Sequence, residues 1–114
     1  MSKIDIVLSD VPDTVRAVEV LRAIAPETSI AEYRKRITSG SPVIERILFE
    51  NDHDDVAAQL RALLSELPKT GARIRVFELR VHEKFKPDAN LSAWEISPST
   101  LLNILATAGI GPER

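Results

Sequence analysis

Three segments of the chain have the apolar pattern of β-strands. They are KIDIVL at 3–8, VIERILFE at 43–50 and ARIRVFELRVHEKF at 72–85. The first alternates apolar and polar residues, as a half-buried strand does, because successive side chains of a strand point to opposite faces. The second is rich in β-branched and aromatic residues, with apolar side chains on both faces. These patterns predict three strands, the second of them buried on both sides.

The third segment moves its apolar residues from one face to the other. Ala72, Ile74 and Val76 lie at even positions, but from position 77 the apolar residues lie at odd positions: Phe77, Leu79, Val81 and Phe85. Left in water, this second set would form a patch of several hundred Å², which is large for a soluble protein. We therefore predict a sheet with two buried faces, the second covered by the C-terminal tail or by a partner. A bulge near Phe77 or Glu78 would allow the strand to turn its side chains over.

Four further segments carry apolar residues three or four positions apart, which predicts amphipathic helices. They lie at 15–25, between Ser29 and Gly40, at 51–67 and after Ser97. The predicted buried stripes of the first two helices are Val15, Val18, Leu21 and Ala25, then Ile30, Tyr33 and Ile37. The order of elements is strand, helix, helix, strand, helix, strand, and then a tail with its own helix.

Length and composition indicate one soluble domain. The 114 residues, 44 % apolar and 28 % charged, suffice for a single main core, so we expect one domain over 1–114. There is no cysteine, which excludes disulfides and thiolate metal sites. The N-terminus MSKIDIVLSD lacks the apolar region of a secretion signal, and no apolar run reaches the length of a membrane helix. We expect a cytoplasmic protein without membrane contact.

The net charge of −2 gives no general affinity for nucleic acid, but the charges are unevenly distributed. Residues 41–68 carry six acids against two arginines, whereas residues 69–86 carry six bases against two glutamates. This indicates a surface with one acidic and one basic region.

Residues 3–81, with IDIVL leading into AVEVLRAI and closing on ARIRVF, resemble the small fold shared by the C-terminal domain of the bacterial ribosomal stalk protein and the ClpS-type adaptor of the Clp protease. The resemblance implies an α+β fold of βααβαβ order, with a three-stranded antiparallel sheet and three helices on one face. It also implies a docking module without catalysis. Arg22 and Arg34 fall where bases of the stalk domain contact translation factors. Residues 82–114 are then a C-terminal extension, whose helix we expect to cover the other face of the sheet.

Candidate catalytic and metal-binding chemistry is sparse. His53 and His82 could titrate near neutral pH. However, the acids around His53 are typical of a helix N-terminus, and His82 shares a strand face with Glu78 and Arg80, as on a solvated edge. The four glycines do not form a phosphate-binding loop. We expect no catalytic residue, no metal and no cofactor.

Three functions remain as hypotheses. The first is a non-catalytic adaptor or docking module, monomeric or homodimeric, that binds another protein through a charged helix surface containing Arg22 and Arg34. The second is a bacterial immunity protein or antitoxin-like inhibitor that blocks a toxin active site with an acidic surface. Its residues would be Glu45, Glu50, Asp52, Asp54 and Asp55. The third is RNA binding, with Arg73 and Arg75 as phosphate contacts, which the acidic total charge disfavours.

Overall fold

A computed structural model describes residues 2–48, 50, 52–86 and 94–110, without the side chains of residues 2 and 107–110. The elements in chain order are β1 (Ser2–Ser9), α1 (Thr14–Ile24), α2 (Ile30–Ser39), β2 (Ile44–Ile47), α3 (His53–Glu66), β3 (Arg73–Arg80), β4 (Glu95–Ile96) and α4 (Pro98–Ile110). A short 3₁₀ turn, Leu67–Thr70, connects α3 to β3. The predicted α+β class and the order of the elements from β1 to β3 are confirmed.

The sheet has four antiparallel strands in the order β2-β1-β3-β4, so the prediction of three strands was wrong. The strand that was not predicted is β4, in which Glu95 pairs with Phe77 and Ile96 with Val76 of β3. Strand β1 lies between β2 and β3, and it pairs with β3 residue for residue, from Ser2 opposite Arg80 to Ser9 opposite Arg73. The predicted bulge near Phe77 or Glu78 is therefore absent from this pairing.

One face of the sheet packs against all four helices. Ile4, Ile6 and Val76 of the sheet lie in a single buried cluster with residues of each helix: Leu21, Tyr33, Leu60, Leu101 and Leu105. Because Leu101 and Leu105 of α4 are fully buried in this cluster, α4 joins the helix layer. The expectation that the fourth helix covers the other face was wrong.

The other face carries a smaller apolar cluster, made of Val7, Phe77 and Leu79. Phe85 and Trp94, from the predicted C-terminal extension, pack against it, and the rings of Phe77 and Phe85 meet edge to face at 5.1 Å. The shift of the apolar residues of β3 from even to odd positions thus has a simple explanation. The first half of the strand buries its even positions under the helices, and the second half buries its odd positions under residues that follow the strand.

The element boundaries follow from local chemistry. The N–H groups of Arg16, Glu32 and Thr100 donate to the side chains of Asp13, Ser29 and Ser97, which cap α1, α2 and α4. Gly71 ends the 3₁₀ turn with a φ of +85°, in the left-handed region that favours glycine. A Cβ atom at Gly71 would lie 2.7 Å from Cγ of Pro12, so this turn packs closely against the β1–α1 loop.

Candidate functional site

A groove of about 600 Å³ runs between α1 and α2 on the outer surface of the helix layer. Its lining residues come from one side of α1 and from the first half of α2: Val15, Val18, Glu19, Arg22, Ala23, Ile30 and Arg34. Four of the seven side chains are aliphatic and three are charged. Arg22 and Arg34, which the sequence singled out, lie together in this groove.

The groove exists because α1 carries apolar side chains on two neighbouring faces. Ala17, Val18 and Leu21 are buried against the core. The α1 residues that line the groove lie at positions 15, 18, 19, 22 and 23. This spacing places them on one face of the helix, next to the face that packs against the core. Helix α1 therefore has more apolar surface than the core covers.

Val15 and Ile30 are the most exposed large apolar side chains in the described part of the chain, at 61 % and 54 % of their full accessible surface. Both were predicted to lie in buried stripes, and that prediction was wrong. The sequence signal that was missed is the surplus of valines in α1. The core uses Val18, so Val15, three positions earlier, is left at the surface beside the α2 residue Ile30.

Tyr33 holds α2 in place beside α1. Its side chain is fully buried, and its hydroxyl donates to the carbonyl oxygen of Ala25, directly after α1, over 2.5 Å. Burial raises the pKa of the Tyr33 phenol, so the group stays a donor at physiological pH. Ile30 and Arg34 flank this anchor in the sequence, which fixes the position of the second wall of the groove.

Arg22 is held in place at the groove by backbone carbonyls. Its Nη1 donates to the carbonyl oxygens of Pro26 and Thr28, at 2.6 and 2.8 Å. Within residues 2–48, 50, 52–86 and 94–110, no ion pair involves Arg22 or Arg34. The two guanidinium groups outnumber Glu19, the one acid among the lining residues, and so give the groove a net positive charge.

A polar cluster lies on the face of the sheet that points away from the helices. Lys3 forms an ion pair with Glu45 at 3.3 Å and also donates to the carbonyl oxygen of Glu83. Asp5, opposite Glu45 in the strand register, is fully buried, and no group in the described part of the chain donates a hydrogen bond to its carboxylate. Burial, and secondly the adjacent Glu45, raise the pKa of Asp5 to about 7, although Lys3 acts in the opposite direction.

An acid with such a pKa is suited to proton transfer. However, Asp5 is fully buried and does not line the cleft of about 470 Å³ that Lys3 and Glu45 line together with Arg36, Pro42 and residues 81–85. A substrate in that cleft would not reach its carboxyl group. The consequence that this geometry supports is a dependence of stability on pH.

The acidic residues predicted for inhibitor function are brought together in part. Glu45, Glu50 and Asp52 line one shallow depression of about 280 Å³. Asp54 and Asp55 are exposed in the first turn of α3, outside that depression. Glu45 is already paired with Lys3. The acidic surface thus consists mainly of the start of α3.

The two arginines predicted to contact phosphate have different environments. Arg75 donates to both oxygens of Glu95, at 3.0 and 2.8 Å, and its guanidinium lies 5.2 Å from the centre of the Phe77 ring. Arg73 is exposed. Of the two arginines, Arg75 is thus paired with a carboxylate, whereas Arg73 is in no ion pair with another described residue.

Among the described residues, no cluster of three or more His, Asp or Glu side chains is arranged to hold a metal ion. None of the helices in that part of the chain is long and apolar enough to cross a membrane. No family model, curated protein or solved structure matches the chain.

Proposed function

We propose that this protein is a non-catalytic docking module that binds another protein through the groove between α1 and α2. The observation that carries the proposal is the exposure of Val15 and Ile30 on the two walls of one groove. Single exposed aliphatic residues are common on protein surfaces. Two of them facing a single groove, flanked by charged side chains, match the apolar centre and polar rim of a protein interface.

The rigidity of the groove also supports docking. Tyr33 anchors α2 to the end of α1, and Arg22 ties the connecting loop to α1 through two carbonyl groups. A surface that is ordered before binding loses less conformational entropy on association. The resemblance to the stalk domain is in line with this proposal, since it implies docking through bases on the first two helices.

Site-specific photo-crosslinking tests the proposal. A photoreactive amino acid is placed at position 30, in the groove, and separately at Ala58, an exposed position of α3, and each protein is incubated with lysate of the source organism. We expect one protein to be captured from position 30 but not from position 58. The captured protein should then bind the purified chain, and Val15→Ser and Ile30→Ser should each weaken that binding. Equal capture from both positions, or binding unaffected by these variants, would contradict the proposal.

A second candidate function is inhibition of a toxin through the acidic surface. It is favoured by the first turn of α3, where exposed Asp54 and Asp55 enter no ion pair with another described residue. Acidic groups of this kind accelerate association with a basic active site. Co-expression with a candidate nuclease toxin tests the function. Protection that is lost in Asp54→Asn/Asp55→Asn, but kept in Ile30→Ser, would favour the inhibitor over the groove.

A further inference from the structure

We infer that the groove between α1 and α2 binds an amphipathic helix that carries carboxylates beside its apolar anchors. This inference rests on the proposed function and specifies the chemistry of the partner. The lining residues combine an apolar floor with two arginines and one glutamate. A helix laid in such a groove would bury its apolar side chains and place acidic residues at the rim.

The guanidinium of Arg22 is prepared for a carboxylate. Both hydrogens of Nη1 are used by the carbonyls of Pro26 and Thr28, which fix the orientation of the group without neutralising it. The edge formed by Nε and Nη2 makes no hydrogen bond to any residue that the structure describes. Two parallel N–H donors on one edge match the two oxygens of a carboxylate. Arg22 therefore presents a bidentate donor edge at one end of the groove.

The dimensions fit a short helix. The α1 wall extends from Val15 to Ala23, which at 1.5 Å per residue is about 12 Å. A partner helix needs about eight residues to cover that distance, so it would present apolar anchors at positions i, i+3 or i+4, and i+7. Val15 and Ile30 contact these anchors, and Arg22 and Arg34 contact acids on the flanks of the partner.

A second copy of this chain fits the groove less well. A two-fold symmetric dimer places the same patch of each copy against the other. Such a dimer would bring four arginines, Arg22 and Arg34 of each copy, against two Glu19 side chains. Like charges that face each other across an interface disfavour association. The charge pattern thus favours a different, acidic partner.

Selection from a displayed library of short helical peptides, with the full chain as target, tests the inference. We expect the selected peptides to combine apolar residues at i, i+3 or i+4 and i+7 with Asp or Glu at flanking positions. Their affinity, measured by fluorescence anisotropy, should fall as salt rises. Arg34→Gln should weaken binding by about three- to tenfold. Lys35→Gln is the matched control, because Lys35 is the neighbouring exposed base but does not line the groove.

Failures of the inference and of the proposed function are distinguishable. The selected peptides could be neutral or basic, with binding that Ile30→Ser weakens and Arg34→Gln leaves unchanged. That result would overturn the acidic partner while the docking function stands. Failure to select any peptide whose binding depends on Ile30 would count against the docking function and the inference together. A dimer in size-exclusion chromatography that Ile30→Ser converts to a monomer would show a second copy in the groove, and would overturn the inference.

Discussion

Asp5 and Glu45 lie opposite each other on the neighbouring strands β1 and β2, and the carboxyl group of Asp5 is fully buried. Ionised, the two groups would place like charges side by side, with Lys3 as the nearby cation. A proton on Asp5 removes this repulsion and provides a donor for Glu45. Together with burial, this is the physical reason why the pKa of Asp5 rises to about 7.

The first prediction concerns stability against pH. Below pH 3.8, the pKa of Asp5 in the unfolded chain, Asp5 is protonated in both the folded and the unfolded chain, so it does not make stability depend on pH. Between 3.8 and about 7 the unfolded chain has lost this proton and the folded chain has kept it, so rising pH favours unfolding. The contribution of Asp5 to the free energy of unfolding should fall by about 2–4 kcal/mol in total over this window, and stay constant above it.

Asp5→Asn isolates this contribution, because asparagine resembles the neutral acid. We expect the variant to be more stable than the parent by about 2–4 kcal/mol at pH 8 and nearly equal to it at pH 3.5, in urea unfolding at both pH values. Asp54→Asn, at the exposed start of α3, is the control and should lose about 0.3–1 kcal/mol at pH 8. A destabilised Asp5→Asn at pH 8 would mean that Lys3 holds Asp5 ionised.

The second prediction tests the position of α4. Leu105 is fully buried in the main core, whereas Leu102, three residues earlier, is 40 % exposed. Leu105→Ala should therefore cost about 2–5 kcal/mol of unfolding free energy. Leu102→Ala, the same chemical change at an exposed position of the helix, should cost no more than about 0.5 kcal/mol. Equal costs for the two variants in denaturant unfolding would show that α4 does not pack as described.

The elements from β1 to β3 could be predicted because their signals are local. The alternation in 3–8 and the apolar residues three or four positions apart in α1, α2 and α3 each require only the neighbouring residues. The shift of apolar residues from even to odd positions along β3 also correctly indicated a second buried face, since Phe77 and Leu79 are both buried there.

Other features depend on packing that one segment does not reveal. Strand β4 has two residues, too few for a period-two pattern, and exists through its pairing with β3. The apolar residues of α4 suited either face of the sheet, so the sequence did not decide which face they cover. Likewise, α1 has more valines than the core uses, but the sequence does not show which of them faces a groove beside Ile30 of α2.

The third prediction compares two glycines with left-handed backbones. Gly40 has a φ of +73° and open space where a Cβ would lie, while a Cβ at Gly71 would lie 2.7 Å from Pro12. Gly40→Ala should therefore cost about 1–2 kcal/mol, from the backbone alone. Gly71→Ala should cost more, since the β1–α1 loop must also move. Adding Pro12→Ala should recover the excess in thermal unfolding. If the two glycine variants are equally destabilised, the contact with Pro12 has no energetic effect.

The last prediction concerns the ion pair that connects β4 to β3. Arg75 donates two hydrogen bonds to Glu95, and these bonds lower the pKa of Glu95 below its ordinary value of 4.5. The pair therefore stabilises the fold above pH 4.5, and this stabilisation is lost as the pH falls through the lowered pKa. Because both side chains are about one-third exposed, the coupling energy should be about 0.2–1 kcal/mol and should decrease with salt.

A double-mutant cycle of Arg75→Gln and Glu95→Gln measures this coupling. NMR titration of the Glu95 carboxyl carbon should show its pKa rising towards 4.5 in Arg75→Gln. Arg73→Gln is the control, since Arg73 acts on Glu95 through charge alone and should change its pKa less. Amide exchange in β4 should accelerate in Arg75→Gln, because the two-residue strand then keeps only its pairing with β3. Unchanged pKa and exchange in this variant would contradict a role for the pair in holding β4.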